Sequence, residues 1–256
     1  MKRVLVLVPF PMPPDLLANR QAQGGAVDPG VELTYRSVRA APASYTSQHD
    51  AVLADVGLLE AGLSAEAEGF DAVCIDTVSD SGVDALRSVL DIPVIGPGRA
   101  MFATALMLGS RFGVLTMWED WFPLYTKTLT SMRLRDRCAG MRAAGIAPDN
   151  RALLAGKEDE VFPALLAAAR LLIDDDGADV ICLGSTTMHE AHGFLRERLE
   201  VPVLNPGPLS YRHAEILTAT GLRHSRRSYP TSKRPKPDLI EAMLDAVEDH
   251  REASSR

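Results

Sequence analysis

Short apolar runs alternate along this chain with stretches of leucine and alanine at helical spacing. Residues 4–10, VLVLVPF, form a Val/Leu run suited to a strand buried on both faces. The run stops at PFPMPPD, where prolines remove backbone donors and bias the residues before them away from helix. Residues 31–38 alternate loosely and predict a second strand, followed by a polar loop through His49. Leucines and alanines over 51–68 predict a helix leading into the strand FDAVCI. Residues 82–90 predict a helix with Val83, Leu86 and Val89 on one side, then IPVIG a strand and 99–108 a crossing helix. FGVLT opens a second lobe, 124–144 reads as mainly helical, and 158–174 reads as a strong amphipathic helix. DVICLG is a further buried strand, and a C-terminal helix, roughly 238–250, is expected to pack on the first lobe. Strands alternating with helices predict parallel sheets covered on both faces.

The segment 69–98, GFDAVCIDTVSDSGVDALRSVLDIPVIGPG, recurs at 177–207 as GADVICLGSTTMHEAHGFLRERLEVPVLNPG. Asp71 maps to Asp179, Cys74 to Cys182, Thr77 to Ser185 and, after one inserted residue, Pro93 to Pro202 and Pro97 to Pro206. Each copy reads as a strand, a polar elbow, a helix and a strand ending in a Pro-Gly turn. The repeat predicts an α/β fold of two pseudo-symmetric Rossmann-like lobes with parallel sheets and an active-site cleft between them. No low-complexity linker separates the lobes, so the chain is expected to cross twice. Residues 1–100 plus 208–256 would form lobe 1, and 101–207 lobe 2.

Composition narrows the class. The 256 residues are 46% hydrophobic and 24% charged, ordinary for a globular protein with a real core. The start, MKRVLVLVPF, lacks a small-residue cleavage signal and no apolar stretch reaches ~18 residues, so the expectation is cytoplasmic with no membrane partner. Three cysteines without a CxxC pair suit a reducing compartment and exclude a zinc knuckle. A net charge of -7 argues against nucleic-acid binding, and the one basic run, 224–236, reads as a solvated surface crossing.

The candidate chemistry sits at strand ends, where loops and helix N-termini present unpaired N–H groups. The first elbow runs Asp76-Thr77-Val78-Ser79-Asp80-Ser81-Gly82, and the second Gly184-Ser185-Thr186-Thr187-Met188. Their hydroxyls and amides could hold a carboxylate or a developing enolate; helix capping by the same residues is the plainer use. Neither is a GxGxxG, GxxxxGK[ST] or GxSxG motif, which leaves nucleotide binding and serine hydrolysis unsupported. Cys74 and Cys182 lie in apolar strand sequence and read as small buried hydrophobes; Cys138 has no matching partner. His189-Glu190-Ala191-His192 places two histidines three apart on a helix, which is not the i, i+4 zinc pattern of HExxH. Trp118 and Tyr125 could line the site, with Thr116 at the end of FGVLT. Pro9 and Asn205 end strands at the same opening. A surface helix for the histidines and turn formation for Pro9 and Asn205 are the ordinary alternatives.

With the repeat and elbows in hand, the chain resembles the aspartate/glutamate/hydantoin racemase superfamily, above all its hydantoin racemase-like branch. The likeness is strongest in DSGVDALRSVLDIPVIGPGRA, LGSRFGVLT and GADVICLGSTTM. The resemblance implies cofactor-free proton transfer at a substrate carbon between two thiols, one per lobe, and implies homo-oligomerisation. The matching positions here are Thr77 and Ser185, so both thiols are absent, and a hydroxyl is a far poorer base than a thiolate. The expected enzyme is therefore an isomerase or lyase without cofactor, acting on a small carboxylate, imide or hydantoin-like carbonyl compound. In this reading Thr77, Ser79, Ser81, Gly82, Ser185, Thr186 and Thr187 hold the substrate, and Asp76 or His189 moves the proton. A desolvated Asp76 would serve as base. One alternative is a divalent metal ion on His189, His192 and Asp76 supporting lysis or hydrolysis. Another is a small-molecule binding protein without catalysis.

Overall fold

The structure, a computed structural model, describes residues 1–23, 30–42, 45–146, 158–234 and 236–254. In chain order its elements are β1 (Lys2–Val8), α1 (Pro14–Gln23), β2 (Val31–Ser37), α2 (Gln48–Gly62), β3 (Ala72–Ile75), α3 (Val83–Arg87) and β4 (Val94–Ile95). There follow α4 (Pro97–Leu108), β5 (Phe112–Thr116), α5 (Phe122–Met132), β6 (Cys138–Ala143), α6 (Glu158–Asp174), β7 (Val180–Leu183), α7 (His189–Arg196) and β8 (Val203–Leu204). The chain closes with α8 (Pro206–Ala219) and α9 (Pro237–Ser254). It divides into two compact units, Met1–Gly96 with Tyr211–Arg256, and Pro97–Ser210.

Each unit holds one parallel four-stranded sheet. The orders are β2-β1-β3-β4 and β6-β5-β7-β8, the same topology in both, which makes this an α/β fold built twice. The register repeats as well. Cys74 pairs with Val6 and Ile95 in the first sheet, and Cys182 with Val114 and Leu204 in the second. At the opposite strand ends Asp71 and Asp179 make the same clasp. The Asp71 carboxylate accepts from the Arg3 amide while the Asp71 amide donates to the Arg3 carbonyl, and Asp179 does so with Arg111.

Burial explains why the strands read as apolar runs. Val4 to Val8, Ala72 to Ile75 and Val180 to Leu183 are buried on both faces, as parallel strands under helices must be. Leu5, Leu7, Leu58, Val73, Ile75 and Leu86 centre one core; Leu115, Leu165, Leu172, Ile181, Leu183 and Leu195 centre the other. Helix α2 starts from a capping box, in which Ser47 accepts from the Asp50 amide and Asp50 accepts from the Ser47 amide. No helix among the described residues is long and apolar enough to cross a membrane.

Two departures from the sequence reading matter. Helix α1 stands where only a proline-rich loop was expected; Pro13 precedes it and Pro14 opens its first turn, where a missing N–H costs nothing. Residues 124–144 do not form one helix. Helix α5 ends at Met132, because Arg133 turns left-handed (φ 58) and its amide closes the last turn onto Leu129 and Thr130. Strand β6 follows on the open edge of β5; its sequence CAGMRA is partly buried throughout, so no alternation marks it.

Candidate functional site

Both elbows lie at the carboxyl ends of their sheets' inner strands, β3 and β7, the position at which parallel sheets gather ligands. In the first, Thr77 is partly buried and its hydroxyl lies 3.1 Å from that of Ser79, which lies 3.0 Å from that of Ser81. Ser79 and Ser81 are buried, so three hydroxyls run inward from a single accessible end. Asp80 adopts a left-handed backbone (φ 53), a conformation that Asp and Asn tolerate better than most residues. Its carboxylate fills space beside β4, where a Cβ on Gly96 would lie 2.5 Å away.

The second elbow repeats the first bond. The Ser185 and Thr187 hydroxyls are 2.8 Å apart, and the Thr187 amide also donates to Ser185 Oγ at 3.2 Å. Ser185 is partly buried, Thr187 exposed and Thr186 buried. Each unit thus carries, at the position the resemblance singled out, a hydroxyl bonded to another hydroxyl two residues on.

What supports each elbow overturns several expectations. Asp76 is not available to move a proton. Its two oxygens accept from Arg20 Nε and Nη2, both at 2.8 Å, in a buried pair. Burial opposes the charge on Arg20, but the Asp76 carboxylate outweighs it and raises the guanidinium pKa. Beside this pair, the Tyr35 and Tyr211 hydroxyls meet at 2.6 Å, and burial together with Asp76's charge pushes the Tyr35 phenol up to about 12. Arg20, Tyr35 and Tyr211 were invisible in the sequence, since a single Arg in a polar helix carries no local signal. Gly82 offers no amide to a substrate either. Its N–H donates to Asp55 Oδ1 at 2.7 Å, and its φ of 74 with Leu58 2.7 Å from a notional Cβ explains the glycine. Ser81 is fully enclosed and ends the hydroxyl chain rather than meeting a ligand.

Thr116 and Tyr125 are also internal. Tyr125 Oη sits 2.8 Å from Thr116 Oγ1 and donates to the Gly184 carbonyl at 2.7 Å; both side chains are buried. They brace the second elbow from beneath, and a Cβ at Gly184 would lie 2.6 Å from the phenol oxygen. Pro9 is buried with its carbonyl accepting from Tyr45 Oη, while Trp118 is partly buried and meets Trp121 edge-on.

His189 and Asn205 are brought together, Asn205 Nδ2 lying 2.9 Å from His189 Nδ1. His192 turns away, its Nε2 donating to the Val203 carbonyl at 3.1 Å. Of the alternative metal set of His189, His192 and Asp76, two groups are already engaged. Asp76 is committed to Arg20 and His192 to a backbone carbonyl, and no group of three potential ligands occurs among the described residues.

The sequence model of the family described as Asp/Glu/Hydantoin racemase matches residues 17–214, a span that contains both elbows and the strands β3 and β7 that lead into them. The chain belongs to this family. A hydantoin racemase from Paenarthrobacter aurescens is 32% identical over 198 residues, covering 75% of this chain and 82% of that protein. One from Pseudomonas sp. (strain NS671) is 29% identical over 202 residues, covering 77% and 79%. Among solved structures, allantoin racemase from Pseudomonas fluorescens superposes with a TM-score of 0.81 at 29% identity, covering 91% of this chain and 98% of that one. Arylmalonate decarboxylase shares the fold, with a TM-score of 0.60 at 19% identity.

None of this racemase-family chain's own thiols is placed to act. Cys74 and Cys182 are wholly buried inside β3 and β7, and burial raises the Cys182 thiol well above its ordinary range. Burial likewise pushes Cys138, in β6, up to about 11.

Proposed function

We propose that this protein is a racemase-type isomerase that needs no cofactor and acts on a small cyclic ureide, imide or hydantoin-like carbonyl compound through an enolate-like intermediate. The observation that carries the reading is the pair of matching hydroxyl contacts, Thr77 with Ser79 and Ser185 with Thr187, at equivalent strand ends of a family member. Removing a proton beside a carbonyl places negative charge on its oxygen, and fixed donors stabilise that charge most. Three hydroxyls joined by two hydrogen bonds leave one hydrogen over. With Ser79 and Ser81 enclosed, donation outward from Ser81 to Ser79 to Thr77 leaves it on Thr77, polarised by the chain behind it. Ser185, which accepts the Thr187 amide, offers the comparable group of the second elbow. With Asp76 bound to Arg20, His189 is the ionisable side chain that supplies the acid–base function. The 29% identity to an allantoin racemase over nearly the full length of both chains supports a ureide as substrate.

The test is proton NMR in D2O with single enantiomers of 5-substituted hydantoins and of allantoin, followed in parallel by polarimetry. Loss of the α-proton signal together with decay of optical rotation is the expected result. New product signals would replace the isomerase by a lyase, and binding without exchange would leave a binding protein.

A further inference from the structure

The imidazole of the second elbow has its outward chemistry set by a neighbour 16 residues further along the chain. Asn205 follows β8 directly and is only 7% exposed. Its Nδ2 faces His189 Nδ1 at 2.9 Å. An amide nitrogen carries only donor hydrogens, so Nδ1 is the acceptor, and a neutral ring then keeps its one proton on Nε2. The oxygen of the same amide, Oδ1, is buried and has no hydrogen-bond partner among the described residues. A buried acceptor without a donor is destabilising, and such a group marks a place where something else completes the bond. The first unit has no such amide. Its equivalent residue is Gly96, and the Asp80 carboxylate occupies the space beside it.

We infer that His189 and Asn205 act as one unit presenting a donor, Nε2–H, and an acceptor, Oδ1, to the substrate's carbonyl oxygen and to the N–H beside it. This rests on the proposed function in taking His189 as the working imidazole, and fixes which of its atoms works. An Nε2–H beside the carbonyl donates to its oxygen, and the bond strengthens as enolate charge builds there. Asn205 Oδ1 meanwhile takes a ligand N–H next to that carbonyl. The pair therefore reads a –CO–NH– edge, which a carboxylate, having no hydrogen to donate, does not supply.

The experiment uses the whole chain labelled with 15N-histidine and long-range proton–nitrogen correlation, with His189 assigned through His189→Gln. Wild type is expected to show Nδ1 bare and Nε2 protonated in the neutral ring. In the near-isosteric Asn205→Asp, whose carboxylate only accepts, the proton is expected on Nδ1. A wild-type ring protonated at Nδ1, or one tautomer shared by both proteins, overturns the assignment. Succinimide and N-methylsuccinimide, titrated into the same samples, probe the acceptor. Succinimide should bind at least about tenfold more tightly, roughly one hydrogen bond, and Asn205→Leu, or Asn205→Ser should the leucine variant not fold, should close the gap. Equal binding, or none by either imide, overturns the acceptor role. Neither readout needs turnover. The stated tautomer without racemisation of any ureide would sink the functional reading alone, and racemisation with an Nδ1–H ring would sink this one alone.

Discussion

At the end of β3 the elbow hangs from a buried ion pair, Asp76 with Arg20; at the end of β7 the same position is Gly184, held by the hydroxyl of Tyr125 and, through it, Thr116. The hydroxyl contact displayed at the two ends is alike, at 3.1 and 2.8 Å, although an ion pair stands beneath one and a neutral phenol beneath the other. A duplicated backbone therefore preserves where a group is presented, while each copy is free to find its own way of satisfying the polar atoms that presentation buries. The cost of breaking the two supports should differ accordingly, because an orphaned charge is harder to bury than an orphaned hydroxyl.

The largest effect is expected at the charged support. Arg20→Ala takes the guanidinium away from the buried Asp76 carboxylate and should remove about 3–5 kcal/mol, read as a shift of the urea midpoint at unchanged slope. Replacing both partners by apolar residues should cost less than the single change, and an equal cost would show that the pair contributes packing rather than charge compensation. Next come the displayed hydroxyls themselves. Thr77→Ala and Ser185→Ala should each lower turnover by about 10²–10³-fold if both elbows stabilise the enolate, with stability nearly unchanged; a loss confined to one elbow would make the reaction one-sided. Tyr125→Phe should cost about 1–3 kcal/mol by stranding the Thr116 hydroxyl and the Gly184 carbonyl.

A smaller effect is expected from pH. Burial lowers the pKa of His192 and His213 below 6.5. The unfolded chain then binds more protons than the folded one below that value. Stability is therefore full above about pH 6.5 and declines as pH falls through the lowered folded values. Denaturant midpoints measured from pH 8 down to 5 should show this, and His192→Gln should flatten the second unit's share. The smallest effect is a null one: iodoacetamide at neutral pH should leave activity unchanged, given two wholly buried thiols and a third pushed to about 11.

Much of the fold was legible because it is local. The apolar runs over 4–8, 72–75 and 180–183 are strands because both their faces are covered, and such burial leaves a Val/Leu/Ile signature. The helix expected over 158–174 is α6 with the same bounds, its leucine and alanine spacing carrying both propensity and an apolar face. Strand β6 left no such mark, since an edge strand of small and polar residues is defined by the register it offers β5 rather than by its own pattern. The site was legible in outline and misread in detail. The elbows and their hydroxyls stood out as Ser and Thr at strand ends, and His189 and Asn205 were singled out separately. Thr116, Tyr125 and Asp76 share that polar character, and Gly82 the elbow's amides, but these groups are spent on internal bonds.

By itself, then, the sequence determined the repeat, the alternation of buried strands with helices, and the two polar elbows, because these depend on periodicity and composition within a few tens of residues. Tertiary structure alone decided which polar atoms remained available. Arg20 reaches Asp76 across 56 positions, Tyr125 reaches Gly184 across 59 and Asn205 reaches His189 across 16. Partnerships of that range leave no local signal, since a carboxylate's chemistry is set by whichever charge or donor the folded backbone brings to within about 3 Å of it.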